Sequence, residues 1–207
     1  ESRTENLVAW VSQLRYDDLP RPVVEQTKEL FLDWLACPMA GKNHPAISVI
    51  DTFVQEMGPA GDRSEIIHDP DRSTSQASAA FSTGPVHTLW SKTTCMIPPY
   101  FGIGLIQNLS DGRFPDGPGR SPRGRRRWSI VPRVVGYYVA CRTGEYLGGS
   151  HYQKSHTTAT AGVVGAAATA AYLLRLDPKQ MLSTIGTAGT QAAGWWQFLL
   201  DALFRIA

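Results

Sequence analysis

Apolar side chains recur every three or four positions along the first 57 residues, the spacing of one face of an α-helix. The first run follows Ser2-x-x-Glu5, a spacing typical of a capping box. We therefore predict a first helix that begins just after Ser2. Its inward-facing positions are Leu7, Trp10, Val11 and Leu14.

Two further helices follow in the same N-terminal region. Pro22 suits the first turn of a helix over about 23–37, and Pro38 and Gly41 are expected to end it. The inward stripe of this helix is Val23, Thr27, Leu30, Phe31 and Trp34. A third helix is predicted after His44-Pro45, with Gly58 at its C-terminal cap. Its inward positions are Ile47, Ile50, Phe53, Val54 and Met57.

The segment 155–174 consists almost entirely of alanine, glycine, threonine and valine. Such a helix has little side-chain bulk, so the backbones of its neighbours can approach it closely. We predict that it lies in the centre of a helical bundle. Asp177 and Pro178 have the N-cap and first-turn identities that open another helix. The inward positions of this last helix are Met181, Leu182, Ile185 and Ala188.

The remaining segments lack a helical period. Residues 58–74 are polar and turn-rich, 73–81 suit a short helix of small residues, and 90–133 predict a loop or disorder. No alternation of apolar and polar residues exceeds four positions, and no hairpin turn signal lies between strands. The pattern predicts an all-α helical bundle, a single domain over 1–207 with an irregular segment at 90–133.

Composition narrows the class of protein. Apolar residues make up 43% and charged residues 18% of the 207, as in ordinary globular proteins. No apolar run is long enough to cross a membrane, the polar N-terminus does not resemble a signal peptide, and three scattered cysteines give no disulfide framework or zinc spacing. The net charge of +2 hides a strongly basic segment, because seven arginines lie within 111–133. These arginines could contact phosphates, but no nucleic-acid-binding module surrounds them, so we do not expect nucleic-acid binding.

Three blocks of sequence resemble the MmgE/PrpD family, which includes 2-methylcitrate dehydratases and cis-aconitate decarboxylases. The first block extends from Leu7 through Leu32-Asp33 to His44-Pro45-Ala46, the second is Ala79-Ala80-Phe81-x-x-Gly84-x-Val86-His87-Thr88-Leu89, and the third extends from Gly136-Tyr137 through His156-Thr157-Thr158-Ala159-Thr160 to Gly194. The resemblance covers roughly 4–89 and 134–199. It implies the family's large all-helical domain and a lyase acting on a tricarboxylate such as 2-methylcitrate or cis-aconitate. It further implies no cofactor, no metal, a homodimer, and a cytoplasmic location, or the mitochondrial matrix in a eukaryote.

The sequence also departs from the family pattern. An acidic motif resembling D-x-D-D-x-H usually follows the position of Leu89, but Trp90-Ser91-Lys92-Thr93-Thr94-Cys95 stands there. We find no resemblance to the family over residues 90–133 or over 201–207. The sequence also lacks the family's lysine-bearing loop and its second, smaller domain. A shifted reading frame or misjoined exon over 90–133 is one explanation, and an intact coding frame there would exclude it.

The resemblance assigns a catalytic role to His156, which matches the family's active-site histidine just before the small-residue helix. Backbone N–H groups at a helix N-terminus suit a carboxylate, and an imidazole moves protons near neutral pH. The alternative is a histidine that makes only a local hydrogen bond. The candidate substrate-binding residues are His87, Lys154, Thr158 and Gln191. Each has a structural alternative: helix packing for His87, solvation for Lys154, and a structural role for the other two.

Two functions therefore stay open. The first is a lyase that uses His156. The second is an inactive, truncated relative that acts as a helical dimerisation or interaction module, which the missing acidic motif favours.

Overall fold

The computed structural model describes residues 2–58, 64–75, 78–79 and 122–194. This part of the chain contains six α-helices and one antiparallel hairpin, which confirms the predicted all-α class. The elements are α1 (Arg3–Gln13), α2 (Arg21–Gly41), α3 (Pro45–Met57), β1 (Ser64–Ile66), β2 (Asp69–Thr74), α4 (Pro122–Tyr152), α5 (Thr157–Leu173) and α6 (Pro178–Gly189).

Local capping explains where the helices begin. Ser2 and Glu5 form the predicted capping box of α1, and Asp177 forms one with Gln180 at α6. Pro22 lies in the first turn of α2 as predicted. The helix continues past Pro38 and ends at Gly41, so the second of the two predicted end signals is confirmed and the predicted range of about 23–37 was too short.

Some predicted inward positions are exposed. Trp10 is 47% exposed, although its ring lies against the ring of Tyr138 with centroids 4.6 Å apart. On α3, Phe53 and Met57 are exposed, whereas Ile47 and Val54 are buried. The helical period was right, but the buried stripe is narrower than predicted.

The hairpin corrects the prediction for 58–74 and for the start of 73–81. β1 pairs antiparallel with β2, with Ser64 opposite Thr74, and the strands are joined at Ile67-His68. Ile66 packs with Val54 and Ala79 in a buried cluster. Gly58 follows α3 and lies against this hairpin. A Cβ on Gly58 would lie 2.7 Å from the Val54 carbonyl oxygen and 2.8 Å from Thr74 Oγ1. Close packing, rather than a left-handed cap, therefore requires glycine here.

Helix α4 corrects the predicted irregular segment 90–133. Residues 122–133 are helical, while 90–121 lie outside the described residues. Arginine is a good helix former, and Pro122 stands at the first position of the helix, where its missing N–H costs nothing. Ile130, Val131 and Arg133 are buried. The helix is interrupted near its end by Gly148, whose φ of 69° lies in the left-handed region.

The chain divides into two compact units. Among the described residues, one unit contains 15–58, 64–75, 78–79 and 122–131; the other, which we call the α5 unit, contains 2–14 and 132–194. In the α5 unit, α6 packs against both α1 and α5. The buried apolar side chains of this unit are Val8, Val11, Leu14, Val135, Val139, Ala140, Ala161, Ala168, Ala171, Leu173, Met181 and Ile185.

The predicted close approach to the small-residue helix is confirmed. A Cβ on Gly165 of α5 would lie 2.6 Å from the Gly136 carbonyl oxygen and 2.8 Å from Ala140 Cβ, both on α4. The fully buried Thr169 hydroxyl lies 3.2 Å from the Pro132 carbonyl oxygen and 3.1 Å from the Gly165 carbonyl oxygen. The two helices therefore pack backbone to backbone, which fixes the start of α5 relative to α4.

Candidate active site at the start of helix α5

His156 occupies the N-cap position of α5, as the sequence predicted. Its backbone is extended (φ −70°, ψ 99°), and its side chain makes no capping hydrogen bond to the helix. Its carbonyl oxygen accepts hydrogen bonds from the N–H groups of Ala159 at 3.0 Å and Thr160 at 3.2 Å. The N–H groups of Thr157 and Thr158 precede these bonds and stand at the positive end of the helix dipole.

Partial burial changes the proton affinity of His156. Burial lowers the pKa of its imidazole below the ordinary value of 6.5. The neutral imidazole is therefore the main form at neutral pH, and it is the form that accepts a proton.

The folding stability should depend on pH through this histidine. Above pH 6.5 the imidazole is neutral in both states and contributes nothing; below that value the unfolded chain takes up a proton more readily than the folded one. Stability should therefore fall as the pH decreases through the window below 6.5, and His156→Gln should remove this contribution. Urea unfolding midpoints of the two proteins from about pH 8 to about pH 5 measure it. Parallel midpoint curves would contradict the prediction.

Three further polar contacts surround the N-cap. The Thr160 hydroxyl lies 3.3 Å from the His156 carbonyl oxygen and 3.1 Å from Nε2 of His151, which is near the end of α4. The His156 N–H donates to the Gly194 carbonyl oxygen at 2.6 Å. The start of α5 is thus bonded to residues from both flanking segments.

The other predicted site residues differ in their positions. Thr158 lies in the first turn of α5 and is partly buried. Lys154 is exposed two residues before His156, and Gln191 is exposed, its amide Nε2 donating to Thr190 Oγ1 at 3.2 Å. His87 lies outside the described residues. The structure therefore places Thr158 beside His156, whereas the hydrogen bonds of Gln191 go to Thr190 and to the Ala188 carbonyl oxygen.

Thr157 is a polar group that the sequence did not single out. Its Oγ1 is buried without a hydrogen-bond partner in the described part of the chain, and its Cγ2 packs toward Gly144 of α4. A buried hydroxyl without a partner costs free energy unless a ligand or solvent satisfies it. Nothing in the sequence distinguishes Thr157 from the threonines that follow it.

A histidine–aspartate pair lies in the other unit. His68, in the hairpin turn, has Nε2 3.1 Å and 3.2 Å from the two carboxylate oxygens of Asp51 on α3, and its side chain is 2% exposed. Arg72 Nη2 donates to the Asp51 carbonyl oxygen at 3.3 Å. This pair connects the hairpin to α3.

Comparison of the sequence with models of known protein families gives a match that includes this candidate active site. The model of the MmgE/PrpD N-terminal domain matches residues 5–88 and 121–204. The chain belongs to the MmgE/PrpD family. The second matched segment contains the whole candidate active site, from His151 to Gly194.

Curated relatives in the MmgE/PrpD family share the same region. The chain is 26% identical over 213 residues to the cis-aconitate decarboxylase-like protein oryM of Aspergillus oryzae, covering 92% of the chain and 40% of that protein. It is 25% identical over 209 residues to the cis-aconitate decarboxylase of Aspergillus terreus, covering 92% and 39%. The chain therefore spans about two-fifths of the length of these relatives.

The MmgE/PrpD match also corrects the predicted bounds of the segment that does not resemble the family. Matching resumes at residue 121 instead of 134 and continues to 204, past the predicted end at 199. The unmatched internal segment is therefore 89–120. Any misread coding frame would have to lie within this shorter stretch.

Two further findings concern the described residues of this MmgE/PrpD chain. None of their helices is both long and apolar enough to cross a membrane. Within the same residues, no three histidine, cysteine or acidic side chains converge in a way that could hold a metal ion.

Proposed function

We propose that this chain carries the proton-transferring histidine of a lyase that acts on a small tricarboxylate. His156 supports the proposal, because it stands at the start of α5 beside backbone N–H groups and has a lowered pKa. The names of the Aspergillus relatives make cis-aconitate the first candidate substrate, with decarboxylation as the reaction. 2-Methylcitrate, with dehydration as the reaction, is the second.

The same imidazole accepts a proton from the substrate in one reaction and donates a proton to it in the other. In dehydration, the neutral imidazole removes a proton from the carbon next to a carboxylate, the carbon–oxygen bond of the hydroxyl group breaks, and the leaving hydroxide takes the proton from the imidazolium and departs as water. In decarboxylation, the carbon–carboxylate bond breaks, CO₂ leaves, and the remaining electron pair on carbon takes a proton from the imidazolium. The lowered pKa makes the imidazolium a stronger acid but reduces its amount at neutral pH, so decarboxylation requires His156 to take up a proton before the carbon–carbon bond breaks.

The N-terminus of α5 supplies the features needed to bind a carboxylate. The Thr157 and Thr158 N–H groups stand at the positive end of the helix dipole, and the buried Thr157 hydroxyl needs a partner. Thr158 then binds substrate through its backbone, and Lys154 adds positive charge from the exposed side. His87 and Gln191 remain proposed substrate-binding residues on the strength of the family resemblance.

Turnover tests this proposal. We expect the 207-residue chain to release CO₂ from cis-aconitate or water from 2-methylcitrate, and His156→Gln to lower kcat at least about a hundredfold. His44→Gln is the matched control, because His44 also stands just before a helix, α3, but lies in the other unit. We expect it to keep the activity of the unmodified chain.

The test also separates the second candidate function. The absence of the acidic motif after Leu89 favours an inactive relative that serves as an interaction module. A folded chain without turnover of either substrate would contradict the lyase and support that module. The homodimer and the cytoplasmic or mitochondrial location implied by the family resemblance remain part of the lyase proposal.

A further inference from the structure

His156 is bonded to a second histidine through a hydroxyl. The Thr160 hydroxyl has one proton, and it lies 3.3 Å from the His156 carbonyl oxygen and 3.1 Å from His151 Nε2. When the hydroxyl donates to the carbonyl, the Nε2–H of His151 donates to the hydroxyl oxygen. A chain of two hydrogen bonds then connects the end of α4 to the His156 peptide group.

Gly194 holds the same peptide segment from the other side. Its carbonyl oxygen accepts the His156 N–H at 2.6 Å. A Cβ on Gly194 would lie 2.8 Å from the His156 carbonyl oxygen, 3.1 Å from Ala159 Cβ and 3.3 Å from Thr160 Oγ1. The segment after α6 therefore fits against the first turn of α5 only because residue 194 has no side chain.

We propose that His151, Thr160 and Gly194 are positioning residues that set the orientation of the His156 imidazole. The inference rests on the proposed function only for the statement that His156 transfers a proton. Both backbone polar groups of His156 are bonded, and its side chain is not used to cap the helix. These contacts hold the backbone from which the ring projects, and displacements of about 1 Å can cost a hundredfold in rate.

A merely structural role for the Thr160 hydroxyl does not account for this geometry. A threonine hydroxyl bonded to the carbonyl four residues back is common in helices and contributes little to their stability. Among the described residues, the only hydrogen bond of the Thr184 hydroxyl, on α6, is this one, 2.9 Å from the Gln180 carbonyl oxygen. Thr160 makes it and also contacts His151, so the same substitution at the two positions isolates the additional contact.

Three variants test the inference. Thr160→Val removes the hydroxyl and keeps the shape, Thr160→Ser keeps a hydroxyl, and Gly194→Ala introduces the Cβ that meets the His156 carbonyl. Thr184→Val is the matched control. Thermal unfolding first shows that each variant is folded. The ¹⁵N and ¹H signals of the His156 ring, assigned by their loss in His156→Gln, then report its orientation.

We expect Thr160→Val and Gly194→Ala to shift the His156 ring signals and to lower kcat about tenfold or more with little change in KM. Thr160→Ser should restore both, and Thr184→Val should change neither. Unshifted ring signals in folded Thr160→Val and Gly194→Ala would overturn the inference.

The two readouts separate this inference from the proposed function. Shifted ring signals in a chain that has no turnover would support the positioning role and contradict the lyase. Normal turnover in His156→Gln would contradict the proton-transferring role of His156, whereas the ring signals of the Thr160 and Gly194 variants would still decide the positioning role.

Discussion

Replacing Gly165 by valine should destabilise the protein by about 3 kcal/mol or more. A Cβ at this position meets the Gly136 carbonyl oxygen at 2.6 Å and Ala140 Cβ at 2.8 Å, and the γ-methyl groups of valine would extend further into α4. Backbone atoms cannot rotate away as a flexible side chain can, so α4 and α5 would have to move apart. The helix that carries His156 would shift with them.

Gly186→Val provides the matched control for this prediction. Gly186 lies within α6, and a Cβ there would meet nothing within 4 Å. Because valine and glycine differ little in helix propensity, we expect a change within about 0.5 kcal/mol. Urea unfolding at equilibrium measures both variants. Equal losses in the two would show that the close approach of α4 and α5 is not what excludes a side chain at position 165.

The second large effect is expected at Trp34 in the other unit. Trp34 is fully buried, and its ring stacks on Phe31 with centroids 5.7 Å apart. Replacement by alanine removes the largest fully buried side chain and leaves a cavity, so we expect a loss of about 3–5 kcal/mol.

Leu32→Ala is the control in the same helix. Leu32 is 63% exposed, so its truncation should change stability by no more than about 0.5 kcal/mol. The same urea titration serves, with the slope m compared to show that both variants unfold in the same way. A Trp34→Ala loss as small as that of Leu32→Ala would contradict the buried position of the indole.

The sequence predicted the elements whose signals are local. Ser2 with Glu5, and Asp177 with Pro178, form their caps within one turn of helix, so their spacing is sufficient to locate α1 and α6. The small-residue composition of α5 likewise predicted a close helix approach, because it depends on what the side chains lack.

Elements determined by distant contacts were missed. The hairpin is short, and Ile66 is buried because it packs with Val54 and Ala79, which no alternation within the strand reveals. The arginine-rich start of α4 has no apolar period before Ile130, although arginine itself favours a helix. In both places the composition resembled a loop, although the segment forms a regular element.

The candidate site shows the same division. His156 was proposed because the resemblance marks it, and the structure confirms only that its helix begins directly after it. The contacts that hold it were not predictable, since Thr160 meets His151 and His156 meets Gly194 across turns that bring separate helices together. The contact between His68 and Asp51 was not predictable for the same reason, because the two residues are 17 positions apart in the sequence.

The small-residue helix α5 also has a consequence for mutation. Single-nucleotide changes in an alanine codon give valine, threonine, serine, proline, glycine, aspartate or glutamate, and all of these except glycine are larger or more polar. At the buried positions Ala161, Ala168 and Ala171, few single-nucleotide changes therefore give a side chain that still fits between the helices. A segment whose composition looks simple is in this way among the least tolerant of random substitution, and the start of that segment carries His156.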